Sequence, residues 1–308
     1  MNGNKMNILI TGGTGFIGSN ICDFLANKEH KVYCICRNKS TFDKCATFKD
    51  RVVWINIEKE NWGDELKNKR FDILIHAAWT GVSVKERNNW DIQLTNFSFS
   101  KLIFQFSLEH NIKKIICLGS QAEYGVFTQK VTEEHVPYPD DAYGSVKLLI
   151  MHYLRDLSKT HNLEWYWLRV FSIIGKNENS TWLIPQVIDK LSQNQSIELT
   201  GGEQCYDYLY IDDFISRINR VISCIDDNSG VYNICSGRPI EIKQLLILIA
   251  KKMECALSLL KFGTIPYREN QNMFMVGSPC KFEKTFGVLP TDSFENSISE
   301  IIKFYKID

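Results

Sequence analysis

Asn7-Ile8-Leu9-Ile10-Thr11-Gly12-Gly13-Thr14-Gly15-Phe16-Ile17-Gly18 is the stretch that decides the fold. Its first residues read as a buried strand, the glycine-rich segment as a turn, and the residues on to about Asn27 as an amphipathic helix. At such a junction Gly12 permits the tight turn, Gly15 lets a pyrophosphate approach the backbone, and Gly18 lets the helix pack closely on the strand. The diphosphate then lies at the positive end of the helix. A plain glycine-rich turn is the other reading, but the strand-loop-helix setting favours a dinucleotide site. Cofactor contacts are expected at Gly12, Thr14, Gly15, Phe16 and Ile17.

Outward from this motif, strand-like runs recur at Val32–Cys36, Val52–Ile55, Asp72–His76, Lys114–Leu118 and Trp165–Leu168, separated by segments of helical length. That alternation implies right-handed βαβ units and a buried parallel sheet, hence an α/β Rossmann, doubly wound domain. Ligands of open α/β sheets bind at the carboxyl ends of the strands, so Arg37, Asn38, Asn56, Ile57, Ala77, Ala78 and Phe171 are further expected cofactor contacts. After about Phe171 the regularity falls. The expected division is residues 1–171 as the dinucleotide-binding domain, with a return near 205–225, and 172–308 as a smaller mixed α/β substrate domain.

About twenty residues past the glycines, where an NAD-preferring site places an acid on the ribose, the chain reads Cys36-Arg37-Asn38-Lys39-Ser40. A guanidinium forks onto phosphate oxygens, and Lys39 and Ser40 are close by, so a 2′-phosphate is expected. NADP(H) is favoured and NAD(H) possible. In the alternative, Arg37 stacks on adenine or faces solvent.

Tyr143-Gly144-Ser145-Val146-Lys147 places a phenol and an ammonium four positions apart on a helix, where they share a face. A neighbouring cation favours the phenolate, so a group of ordinary pKa near ~10 is brought closer to working pH for proton exchange. The pattern alone also arises on helix surfaces, and it needs the rest of the sequence to support it. Ser120 follows the fifth strand directly, which puts it at the ligand end of the sheet.

The 36 Lys and Arg balance 36 Asp and Glu, so no whole-protein field favours nucleic acid or an anionic membrane. No apolar run reaches the roughly 18 residues of a membrane span, and the start of the chain does not resemble a signal peptide, so a cytoplasmic protein is expected. The ten cysteines show no CxxC, and the six histidines form no HExxH pattern. No metal site is expected. The seven tryptophans are dispersed, as core or interface residues would be.

The TGGTGFIG opening, His76-Ala77-Ala78, Ser120, YGSVK and Gly201-Gly202-Glu203-Gln204 through Asp207-Tyr208-Leu209-Tyr210-Ile211-Asp212-Asp213 together resemble extended short-chain dehydrogenases. More narrowly they resemble the NAD(P)-dependent nucleotide-sugar epimerase/dehydratase/reductase family, along nearly the whole chain. Phe262-Gly263-Thr264-Ile265-Pro266-Tyr267-Arg268 is similar to the 4-ketoreductases of the CDP-abequose-synthase type. The resemblance implies Tyr143 as general acid/base, Lys147 on the nicotinamide ribose and lowering the tyrosine pKa, and Ser120 on the reacting sugar oxygen. It makes His76 a residue of the cofactor floor and Asn96 a support of the active site. It also implies a homodimer through the helices around 90–110 and YxxxK, to which Leu94, Phe97, Leu102, Phe104, Phe106 and Leu108 are expected to contribute.

Departures from the family patterns narrow the chemistry. Dehydratases resemble Thr-Asp-Glu where this chain has Ser120-Gln121-Ala122, so the acid pair for elimination is absent. The Cys and His of the GDP-fucose-synthase type correspond to Ala122 and Trp182. What remains is transfer of hydride at one carbon. The resemblance therefore implies reduction of the 4-keto group of a nucleotide-linked sugar with NADPH, in surface-polysaccharide sugar biosynthesis. A 4-epimerase or 4-dehydrogenase with tightly bound NAD is the alternative. Val82, Ser83, Gln121, Ser172, Trp182, Tyr206 and Arg268 are the expected substrate contacts, within a wider Thr80 to Val84 loop, and Lys190 is a weaker anion anchor. Tyr206 stands where the family often has Arg. Glu123 is open between a sugar contact and a cap on local amides.

Overall fold

The computed structural model describes residues 5–268 and 271–306. Elements run β1 (Asn7–Thr11), α1 (Phe16–Asn27), β2 (Lys31–Cys36), β3 (Val52–Asn56), β4 (Ile73–His76), α2 (Trp90–Glu109), β5 (Lys114–Ser120), α3 (Ala142–His161), β6 (Glu164–Val170) and β7 (Ser172–Ile174). There follow α4 (Leu183–Ser192), β8 (Ile197–Glu198), β9 (Cys205–Tyr210), α5 (Ile211–Ile222), β10 (Gly230–Ile234), β11 (Pro239–Glu241) and α6 (Ile242–Lys252). Then come β12 (Leu260–Lys261), β13 (Phe274–Met275), α7 (Cys280–Phe286) and α8 (Phe294–Tyr305).

A seven-stranded sheet runs in the order β10-β6-β5-β4-β1-β2-β3. The order reverses beside β1, whose partners β2 and β4 are both parallel to it. This is the Rossmann arrangement, and its switch point opens a crevice over the glycine loop. All four residues of β4 and all seven of β5 are buried, as continuous apolar runs between two helical layers require. The core joins Leu9, Leu74, Ile115 and Cys117 of the sheet to Ile103 and Phe104 of α2 and to Val146, Ile150 and Leu154 of α3.

The chain divides into two compact units. The first comprises residues 1–125, 136–169 and 218–232; the second comprises 126–135, 170–217 and 233–308. Where the sequence suggested a boundary at 171 and a return near 205–225, packing divides the chain after Arg169 and returns it at Ile218–Tyr232. The reason is β10, which lies beside β6 as a seventh strand. The second unit holds a four-stranded sheet in which β9 pairs with β11, β13 and β7, and a short β8–β12 pair. Asp207 on β9 is fully buried, and its carboxylate accepts from the Ser236 and Gly237 amides and the Ser236 hydroxyl, each at 2.7 Å. No helix among the described residues is long and apolar enough to cross a membrane.

The apolar excess on α2 is spent mainly on this core. Phe104 and Phe106 are buried, and Phe97 and Leu108 pack partly against the cluster, leaving Leu94 and Leu102 exposed. Of the six residues expected at a dimer face, four are thus committed within the first unit.

Candidate active site

The glycine turn is shaped by steric exclusion. Gly12 has φ +79°, and a Cβ there would lie 2.6 Å from the Ala78 nitrogen. A Cβ at Gly18 would collide with the Gly12 carbonyl. Gly15 differs: its nearest neighbour would be the Gly12 oxygen at 3.3 Å, and the residue is exposed at the open end of α1. The loop thus forms a cradle that a methyl group would fill, with helical N–H groups beyond it. That fits a dinucleotide diphosphate.

A cleft of about 350 Å³ extends from this cradle and is lined entirely by the first unit. It brings together Gly12, Thr14, Gly15, Arg37, Ile57, Ala77 and Ala78 of the expected cofactor contacts. Phe16 and Ile17 open α1 beside it, half-buried. Asn38 and Asn56 do not line it; their side chains are hydrogen-bonded to each other, and the Asn38 amide donates to Glu58 Oε2 at 2.7 Å. Arg37 donates to Thr80 Oγ1 at 3.3 Å, and its own amide donates to Ser40 Oγ at 3.1 Å. Both Arg37 and Ser40 line the cleft. Phe171 belongs to the second unit, where it is buried with its ring against Gly277.

The floor is a polar chain in an apolar setting. His76 Nδ1 and Thr11 Oγ1 are 2.8 Å apart, and His76 Nε2 and Ser100 Oγ are 2.9 Å apart. Burial holds the imidazole pKa down to about 3, so the ring is neutral and structural. The following loop is pinned by Asn96, which accepts from the Thr80 amide at 2.8 Å and donates to its carbonyl at 2.9 Å. Trp79 donates its indole N–H to Gln93 Oε1 at 2.9 Å.

Tyr143 lies on the first turn of α3, whose cap Asp141 accepts from the Gly144 amide at 2.6 Å. Its phenol lies near enough to the Ser120 side chain for that group to favour the phenolate. Lys147 is buried, donates from Nζ to the Leu118 carbonyl at 2.6 Å, and sits 3.7 Å from the centroid of the cleft-lining Trp79 ring. Burial lowers the Lys147 pKa to about 7. Burial also raises the Tyr143 phenol, opposed first by Arg87 and then by the Ser120 side chain. The cation that counts most at the phenol is therefore Arg87. Lys147 Nζ is turned to Leu118 and Trp79, 5.8 Å from the Tyr143 ring centroid.

Glu123 is withdrawn from any ligand. Its Oε1 accepts from the Ser120 amide and Trp167 Nε1, both at 2.8 Å, and its Oε2 from Arg169 Nε at 2.8 Å. It is the third residue of the 121–124 turn and completes a capping box with Ser120, the N-cap. Next to it, Gln121 presents a buried Oε1 with no hydrogen-bond partner, the kind of atom a bound polar group would satisfy.

Of the remaining expected substrate contacts, Val82 and Ser83 lie exposed in the loop after β4, with the Ser83 hydroxyl given to Glu86. The others belong to the second unit. Ser172 pairs with Tyr208, Trp182 precedes α4, and Lys190 bonds Gln195 at 2.8 Å. Tyr206 donates its hydroxyl to the Asn272 carbonyl at 2.7 Å and accepts from Gln271 at 2.8 Å, with exposed Arg268 close enough to act on its acidity. Glu269, the next residue in sequence, lies outside the described residues. No cluster of potential metal ligands occurs among the described residues. Trp79, Thr95, Phe99 and Arg87 escaped the sequence reading, since no local pattern distinguishes them.

A profile described as the NAD dependent epimerase/dehydratase family matches residues 8–235. The chain belongs to this family. It is an enzyme of the extended short-chain dehydrogenase type. The chain is 28% identical over 241 residues to dTDP-6-deoxy-L-talose 4-dehydrogenase (NAD(+)) of Aggregatibacter actinomycetemcomitans, covering 76% of this chain and 86% of that one. It is 24% identical over 270 residues to CDP-abequose synthase of Yersinia pseudotuberculosis, covering 87% and 91%. In fold it superposes on UDP-N-acetylglucosamine 4-epimerase of Methanobrevibacter ruminantium with TM-score 0.89, 23% identity and 99% of each chain.

Proposed function

We propose that this enzyme reduces the 4-keto group of a nucleotide-linked deoxysugar with NADPH. What supports the reading is the placement of the Tyr143 phenol beside the Ser120 side chain at the end of β5, near enough for Ser120 to favour the phenolate, with Glu123 locked into a buried ion pair beside it. One proton-transfer group therefore serves the substrate, and no second acid stands ready for elimination or for proton abstraction at a neighbouring carbon. Relatives named as a 4-dehydrogenase and an abequose synthase support single-carbon redox chemistry on a nucleotide sugar.

The cradle residues Gly12, Thr14 and Gly15 would hold the cofactor diphosphate, and Arg37 with Ser40 the adenosine 2′-phosphate. When bound, the reduced nicotinamide supplies a hydride. Ser120 and Tyr143 converge on the substrate oxygen, and Tyr143 delivers its proton as negative charge develops there. Lys147 then offers the remaining N–H groups of its buried amine to the ribose. Gln121 Oε1 serves a sugar hydroxyl. In the second unit the hydroxyl of Tyr206 is already engaged, so Arg268 is assigned to the substrate diphosphate. Exposed Trp90, Leu94 and Leu102 of α2 with Leu149 of α3 are assigned to a contact between two copies, which light scattering tests.

The deciding experiment incubates the protein with a panel of 4-keto nucleotide sugars and either NADPH or NADH, following absorbance loss and product identity. Stoichiometric NADPH consumption supports the reading. Cofactor that co-purifies, with isomerised product and no net redox, would replace it by a 4-epimerase. A tenfold preference for NADH would overturn the cofactor assignment. Tyr143→Phe is expected to lower turnover by at least ~100-fold while leaving cofactor affinity nearly unchanged.

A further inference from the structure

The Tyr143 ring is flanked by two side chains from the segment after β4. Arg87 Cζ lies 4.4 Å from its centroid, and Trp79 meets it edge-on at 5.4 Å. Arg87 is fixed from three directions. Its amide donates to the Ser83 carbonyl at 3.0 Å, its carbonyl accepts from the Tyr143 amide at 2.9 Å, and its Nε donates to Asp141 Oδ2 at 2.8 Å. Asp141 is itself the cap of α3. The Arg87 side chain is about one-third exposed, so the guanidinium is partly desolvated where it faces the phenol.

We propose that Arg87 is a positioning residue that sets the acidity and orientation of Tyr143, joining the loop at 80–87 and the general acid into one unit. This rests on Tyr143 being the proton-transfer group of the proposed reaction.

The groups facing the phenol are few enough to weigh. Ser120 acts on it from the end of β5, Glu123 from the turn at 121–124, Asp141 from the α3 cap, and Lys147 lies on α3 itself. The Glu123 charge is matched by Arg169, and that of Asp141 by Arg87. Lys147, brought by burial to about 7, loses its charge near neutrality. A guanidinium keeps its charge at every pH where a tyrosine titrates. Through the alkaline range Arg87 is thus the cation that continues to stabilise the phenolate.

The test is the tyrosinate absorbance of Tyr143 across pH, taken as the difference between each protein and its Tyr143→Phe counterpart. Arg87→Met keeps an apolar stem and removes the charge; it is expected to move the titration up by about one pH unit. In the oxidation direction, which needs the phenolate, kcat below the pKa falls about tenfold with KM little changed. Arg87→Lys is expected to recover most of the titration. Arg87→Gln, which still donates to Asp141, serves if the methionine variant fails to fold, with the same upward shift expected. A titration unmoved in folded Arg87→Met or Arg87→Gln protein overturns the proposal. Because the titration uses no substrate, a shift seen there alongside no turnover on any 4-keto sugar would overturn the proposed reaction alone.

Discussion

Glu123 Oε2 accepts from Arg169 Nε at 2.8 Å, with the two side chains 0% and 2% exposed. The guanidinium also lies 4.4 Å from the Tyr124 ring centroid. This pair fixes the turn that carries Ser120, since the other Glu123 oxygen holds the Ser120 amide. Removing one partner leaves an uncompensated buried charge, which costs about 3–5 kcal/mol. Glu123→Ala is therefore expected to lower unfolding free energy by that amount in urea titrations. A loss below about 1 kcal/mol would show that Arg169 finds another partner.

The glycine loop makes two opposite predictions from neighbouring glycines. Gly18→Ala drives a methyl group into the Gly12 backbone, so it is expected to destabilise the fold by about 1–3 kcal/mol and abolish cofactor binding together. Gly15→Ala meets only the Gly12 oxygen, at a tight 3.3 Å, so it is expected to cost the fold less than Gly18→Ala. Its methyl occupies the diphosphate cradle, and cofactor affinity falls at least about tenfold by calorimetry. Equal affinity for Gly15→Ala and the native enzyme would place the diphosphate elsewhere.

These contrasts show which physics a sequence exposes. The strands from β1 to β6 were legible because buried parallel strands are continuous apolar runs, and Gly12 and Gly18 because only glycine satisfies their local geometry. β10 was not, since Gly-Val-Tyr-Asn-Ile is short and mixed, and its place in the sheet is decided by contact with β6. Ser120, Tyr143 and Lys147 were put forward from spacing, a strand end and the family resemblance together. Arg87 and the partners of Glu123 were hidden because they act across long sequence separations: 54 residues to Asp141, and 44 and 46 to Trp167 and Arg169. The burial of Phe104 and Phe106 within the first unit was not legible, because periodicity does not distinguish a stripe buried within one chain from one buried between two.

Lys147 couples stability to pH in a direction that identifies it. Its pKa falls from 10.5 in an exposed lysine to about 7 in the folded protein, because burial disfavours the ammonium. Between those values the unfolded chain holds a proton that the folded chain has released, so stability rises with pH across this window. Below about 7 the folded protein must keep the charge in its buried site, and the cost is fully present. Lys147→Met fills the same space without a charge, and is expected to be more stable than the native protein by several kcal/mol at about pH 6. With roughly 2–4 °C gained per kcal/mol, its Tm rises on the order of 10 °C in cofactor-free protein. The gain shrinks as pH climbs toward 10, and turnover is lost at every pH. A methionine variant less stable than the native protein at about pH 6 would mean that the ammonium is satisfied in the folded state, through Leu118 and the Trp79 ring, without help from a bound ribose.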